Sequence, residues 1–230
     1  MRLTTATTAN NRPSFREHYL LQGLCAWYVL LWTILAIDPL DRQDWLLENI
    51  LALGLIVVLI ATYRHFPLSD LSYMLLALFL SLHAIGAHYT YSKVPLGFWI
   101  QDLLDLERNH FDRIAHFSFG LLLVYPLREL FLRRVRVRGF WAYYLPVSGV
   151  LALSGFFEIV ESWIARLVSP ELGTAYLGTQ GDMWDAQKDM TVALLGAIFT
   201  ILFTYFLSRS GVHPSRSTHA SGPHETFHAT

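Results

Sequence analysis

A chain of 230 residues that is 53% hydrophobic and only 15% charged, with a mean hydropathy of +0.37, is too apolar for a soluble domain of its size. Its formal charge is −1, with no nucleic-acid patch beyond an arginine cluster at 128–138 that the membrane explains, and its one cysteine, Cys25, excludes an intramolecular disulfide or a cysteine-built metal site. A helix needs about 20 mostly apolar residues to cross the hydrocarbon layer, so the length suits one all-α, polytopic bundle of about six transmembrane helices, with the lipid bilayer as its solvent.

In chain order, residues 1–17 carry Arg2, Arg12 and Arg16 and read as a cytoplasmic segment. The apolar stretch 19–37 then runs into "IDPLDRQ" instead of a small-residue cleavage site, which predicts a retained anchor and not a signal peptide. Further apolar stretches at 45–63, 71–88, 112–132, 140–164 and 185–207 complete a transmembrane domain over 18–207. The uncharged part of the fourth, 114–127, is only 14 residues long, so a re-entrant or deeply buried helix is the alternative there. Residues 208–230 are rich in Ser, Thr, Pro, Gly and His without apolar period, which predicts a disordered tail.

Between the first two stretches, Asp38, Asp41 and Asp44 read as a solvated acidic surface. Between the third and fourth, "HYTYSKVPLGFWIQDLLDLERNHFDRIAHF" reads as an interfacial platform with Tyr91, Phe98 and Trp99 at headgroup level and a short amphipathic helix near 97–106. Orientation follows from Arg128, Arg133, Arg134, Arg136 and Arg138, because arginine-rich short loops stay cytoplasmic. Both termini then lie inside, where 11 of the 17 basic residues meet 4 of the 18 acidic ones, leaving +7 inside against −8 outside.

Ionisable side chains are expensive inside a membrane, so each one there is a functional candidate or a partner in an ion pair. His83 and His88 end the third stretch, Asp112 and His116 open the fourth, Glu158 and Glu161 close the fifth, and Asp182, Asp185 and Asp189 open the sixth, all near one face. Asp112 with His116 and Asp185 with Asp189 are spaced i,i+4, and Glu158 with Glu161 i,i+3, so each pair shares a helix face. Facing helices that present imidazole and carboxylate at one depth can build a metal site, and that donor mix suits zinc, manganese or iron. Capping accounts equally well for Asp112 and Asp182, whereas Asp189 lies a turn inside its helix and needs a partner. Arg113, Arg166 and Lys188 are candidate counter-ions, and His83 alone on an apolar helix reads as a hydrogen-bonded core histidine.

The strings "HYTYSKVPLGFW", "RNHFDRIAHF", "FFEIVESW" and "LGTQGDMWDAQKDM", with "DRQDWLLE" and "ATYRHFPL", resemble the YjdF family of predicted bacterial inner-membrane proteins across 38–199. The resemblance implies a multi-pass protein of the bacterial inner membrane and no particular reaction. A more distant resemblance is to the VanZ-like membrane proteins, whose pattern of an acid and histidine opening one helix, an acid in the next and an acid before a glycine-rich end helix is met by Asp112, His116, Glu158, and Asp189 before "ALLGA". The chain departs from that pattern at Ala193, where asparagine is frequent, and at Glu161, where glutamine is common.

The resulting expectation is an outward-facing site in which Asp112, His116, Asp185 and Asp189, with His88 and His110, hold a divalent metal ion, while Glu158 and Glu161 handle protons. Its enzymatic form is hydrolysis or transfer on a lipid-linked envelope substrate. The alternatives are lipid or ion binding or transport by the same carboxylates, and an interlock that only sets helix register.

Overall fold

Each of the six apolar stretches becomes a helix in the computed structural model, which describes residues 14–209 and has no strand among them. The elements are α1 (Tyr19–Leu35), α2 (Arg42–Tyr63), α3 (Asp70–His88), α4 (Pro95–Leu104), α5 (Phe111–Leu130), α6 (Trp141–Leu167), α7 (Pro170–Leu177) and α8 (Asp185–Arg209). The expected cytoplasmic segment and disordered tail lie almost wholly outside the described residues. Five of the helices are long and apolar enough to cross a membrane, and α1, with 17 residues, is a shorter apolar helix. A π-helical turn at Phe131–Val135 prolongs α5 into one rod of 25 residues, about 37 Å at 1.5 Å per residue, so the fourth apolar stretch is continuous and long enough to cross a membrane.

Local chemistry sets the helix starts. Asp41 caps α2 by accepting from the Gln43 and Asp44 amides, Ser69 caps α3 through the Ser72 amide, and Ser169 with Pro170 opens α7. The short α4 matches the amphipathic helix expected near 97–106, with Trp99, Leu103 and Leu104 exposed.

Helix α5 is the hub, packed against α3, α6 and α8. Its tightest seam is with α8, where Gly120 meets the Ala193 backbone and Gly196 meets the Phe117 backbone. Without a solvent-driven hydrophobic effect between spans, small residues that let two backbones touch are a principal source of helix association. Val124, Val150, Ala193 and Ala197 fill the layer around that seam with no exposure to solvent. Helix α1 packs on α3, α2 on α3 and α7, and α7 also on α6. Val57, Ile60, Phe199 and Phe203 are among the large apolar side chains left facing outward, as a lipid-bathed surface requires.

The charges sort to opposite ends. At the arginine end, Glu129 accepts from Ser69 N (2.9 Å), Ser69 Oγ (2.8 Å) and Ser72 Oγ (2.5 Å) and pairs with Arg133, fastening α5 to α3. The acidic end holds Asp44, Glu48, Asp112, Glu158, Glu161, Asp182, Asp185 and Asp189.

Candidate functional site

Two arginines organise part of the acidic end. The Arg113 guanidinium, in the first turn of α5, pairs with Asp189, lies 2.5 Å from Asp185 Oδ1 and 3.3 Å from Asp182 Oδ2, and donates to the Asp185 carbonyl at 3.2 Å. Arg108 Nη1, from the loop before α5, donates to Asp185 Oδ1 at 2.9 Å and to the Thr179 carbonyl at 2.7 Å. Lys188 Nζ reaches Asp182 Oδ2 at 2.6 Å, and that bond, with the Trp184 amide donating to Asp182 Oδ1, holds the Asp182 carboxyl below the usual aspartate range. Asn109 pins the same corner. Its side chain donates to the Val94 carbonyl and accepts from the Phe111 amide, and its backbone exchanges two hydrogen bonds with the Gln180 side chain. Asp185 is thus saturated by arginine, and Asp182 caps the turn before α8.

The second part is open. His116 Nε2 lies 3.6 Å from Asp112 Oδ1 on its own helix and 3.6 Å from Glu158 Oε1 on α6. Ligand atoms of Asp112, His116 and Asp189 all lie within 4.8 Å of one another. Asp189 Oδ1 and Glu158 Oε1 are buried and have no hydrogen-bond partner. Three helices therefore bring oxygen and nitrogen lone pairs to one point without the donors that would normally satisfy them.

Beside this point lies a cavity of about 260 Å³ between α2, α3, α5 and α6. Its polar end is formed by Glu48, His83, Tyr91, Asp112, His116, Glu161 and Tyr176, and its deeper wall by Leu55, Phe79, Phe119 and Leu123. His83 Nε2 meets the Glu48 carbonyl at 3.1 Å and must donate to it, so Nδ1 accepts the Tyr91 hydroxyl at 2.5 Å. Enclosure pushes the Tyr91 phenol pKa up, which keeps that proton on as donor, and burial does the same for Tyr176 in the roof.

The structure brings Asp112, His116, Glu158 and Asp189 together, places Glu161 on the cavity wall and assigns Asp185 to the arginine lattice. His88 is elsewhere, its Nδ1 donating to the Leu35 carbonyl at 2.8 Å and tying α3 to α1. His110 immediately precedes α5, where burial and then the neighbouring Arg108, Arg113 and Lys188 hold its pKa below the usual histidine value. Among the expected counter-ions, Arg113 and Lys188 are used, and Arg166 forms no ion pair among the described residues.

Two residues differ from their expected settings. Asp44 is not a solvated surface acid: Asp41 takes the cap, so Asp44 falls in the first turn of α2 and is 1% exposed, with neither carboxyl oxygen hydrogen-bonded. Tyr91 turns inward instead of sitting with Phe98 and Trp99, because Thr90 and Tyr91 both adopt positive φ (52° and 45°) and fold the chain back onto Gly86. A Cβ at Gly86 would lie 2.7 Å from the Tyr91 ring, so only glycine leaves room for it. Arg108 carries no spacing signal that marks it out. Glu48 could have been found only by extending the i,i+4 rule from Asp44.

A family model described as "Predicted membrane protein (DUF2238)" matches residues 20–210. The chain is also 39% identical over 176 residues, 76% of its length and 83% of the relative's, to the "Inner membrane protein YjdF" of Escherichia coli (strain K12). No solved structure matches it. With six apolar helices around a polar end, and a family match running from α1 to the end of α8, the chain belongs to the DUF2238 family of multi-pass membrane proteins.

Proposed function

We propose that the acidic end is a divalent-metal centre on the outer side of a bacterial inner membrane, serving hydrolysis or transfer on a lipid-linked envelope substrate. The observation that carries this reading is the spacing around His116 Nε2. At 3.6 Å from both Asp112 Oδ1 and Glu158 Oε1 it is too far for a hydrogen bond. It is close to the separation of about 3.4 Å between two ligands that each lie about 2.1 Å from a tetrahedral ion. Asp112, His116 and the free oxygen of Asp189 are the proposed ligands, Glu158 is in reach as a fourth, and zinc, manganese or iron suits the set. An ion held there would polarise a phosphoryl or carbonyl oxygen and acidify a bound water, and Glu161, one turn from Glu158 on the cavity wall, would accept the proton. The Arg108 and Arg113 lattice supports a different role for Asp182 and Asp185, that of fixing the two helices on which the ligands ride.

Purified wild-type protein is expected to carry about one equivalent of metal by elemental analysis, and Asp189→Asn, His116→Ala and Glu158→Gln to lose most of it while still eluting as folded protein. Absence of metal from the wild type, with all three variants unfolding in detergent, would assign the cluster to structure. Absence of metal with normal stability and altered ion flux in the variants would assign it to transport.

The charge sorting supports placing both termini in the cytoplasm, with the five arginines of residues 128–138 inside. The Escherichia coli relative's name supports the inner membrane. A reporter fused after Ser208 is expected to give a cytoplasmic signal, and a periplasmic signal there would reverse the orientation.

A further inference from the structure

The cavity beside the proposed centre is lined on its α6 side by exposed apolar residues. Helix α2 packs mainly on α3 and α7, with Trp32 of α1 reaching its Trp45 and Asn49, and α6 packs mainly on α5, α7 and α8, so no extensive interface joins α2 to α6 among the described residues although both line the cavity. Two of the lining residues, Leu153 and Phe156 on α6, are 44% and 54% exposed, and they lie along the transmembrane part of the helix. Toward the aqueous end the cavity is roofed by α7, which touches both α2 and α6 and inserts Tyr176 at 3% exposure. The Asn109 and Gln180 pairing closes the adjoining loops.

From this arrangement we infer that the cleft between α2 and α6 seats a membrane lipid, its hydrocarbon chain lying in the cleft and its hydrogen-bond-donating head group reaching Glu48 and Glu161. The deeper wall is aliphatic and aromatic, which suits a chain. The polar end holds a buried acceptor that lacks a donor: Glu48 is 5% exposed and its Oε2 has no partner among the described residues. An ammonium or hydroxyl head group supplies what is missing, and a trimethylated head group does not. What then happens to that lipid rests on the proposed metal centre, whereas its seating does not.

The test is photo-crosslinking in nanodiscs made of equal parts phosphatidylethanolamine, phosphatidylglycerol and phosphatidylcholine. A benzophenone amino acid replaces Phe156 at the mouth or, as control, Phe203 on the outer surface of α8, and metal content is measured on the same samples. The Phe156 site is expected to favour phosphatidylethanolamine or phosphatidylglycerol about tenfold over phosphatidylcholine, the discrimination that one charge-assisted hydrogen bond provides. The control site is expected to label all three in proportion, and the preference to disappear with Leu153→Trp, a change at an exposed position that leaves the core alone. Which of the two favoured lipids dominates separates an ammonium from a hydroxyl head group. Equal labelling at both sites in metal-loaded protein would overturn the lipid seat alone, and a retained preference in metal-free protein would overturn the centre alone.

Discussion

Arg113→Ala is expected to destabilise the bundle by about 3–5 kcal/mol, enough to lower the detergent melting temperature strongly, because it strips the counter-ion from buried carboxylates. The side chains of Asp185 and Asp189 are only 8% and 3% exposed, and one guanidinium serves both of them as well as Asp182. Arg108 remains on Asp185, so the carboxylate left without a cationic side chain is that of Asp189. Arg113→Lys is expected to recover only part of the loss, since a single ammonium cannot reproduce the fork that engages three acids from one position. Adding Asp189→Asn to Arg113→Ala is expected to restore more stability than the lysine does. Thermal unfolding of the purified variants followed by circular dichroism measures all three, and an Arg113→Ala protein as stable as wild type would show that the lattice contributes nothing to the fold.

Gly120→Val is expected to be at least as damaging, by about 3 kcal/mol or by outright failure to assemble. A Cβ at Gly120 would overlap the Ala193 carbonyl oxygen and lie 2.7 Å from its carbonyl carbon and 3.0 Å from the Ala197 amide. These are backbone atoms, so no rotamer change in α8 relieves the clash and the two helices must separate. Gly196 faces the reciprocal constraint from the Phe117 carbonyl and the Leu121 amide. Gly54 on α2, with nothing near its missing Cβ, is the matching control, and Gly54→Ala is expected to leave expression and melting unchanged. Separation of α5 from α8 would also carry Asp189 away from Asp112 and His116, so loss of packing and loss of the site are expected together.

The transmembrane helices were legible in the sequence because each is an apolar run bounded by charge, and the run length is dictated by the bilayer. The shared faces of Asp112 with His116, and the inward placement of Glu158 and Asp189, followed from helical spacing and from the cost of burying charge in lipid. Pairings between helices were not legible in the same way. Asp112 and Arg113 are adjacent in sequence yet diverge by about 100° around α5, so the arginine meets α8 while the aspartate turns to His116. Spacing within one helix cannot say which neighbour lies across which face. The inward turn of Tyr91 depends on two residues at positive φ, a choice that sequence pattern does not announce for threonine and tyrosine. Arg108 enters through a loop positioned by Asn109 and Gln180, where no periodicity exists to read.

The most direct measurement of the central claim is electron paramagnetic resonance of the manganese-loaded protein in nanodiscs, with the electron spin-echo signal examined for coupling to nitrogen. One directly coordinated histidine nitrogen is the predicted result for the wild type, and it is expected to vanish in His116→Gln and to persist in His88→Gln and His110→Gln. A spectrum of fully hydrated manganese in the wild type, or nitrogen coupling that survives removal of His116, would contradict it.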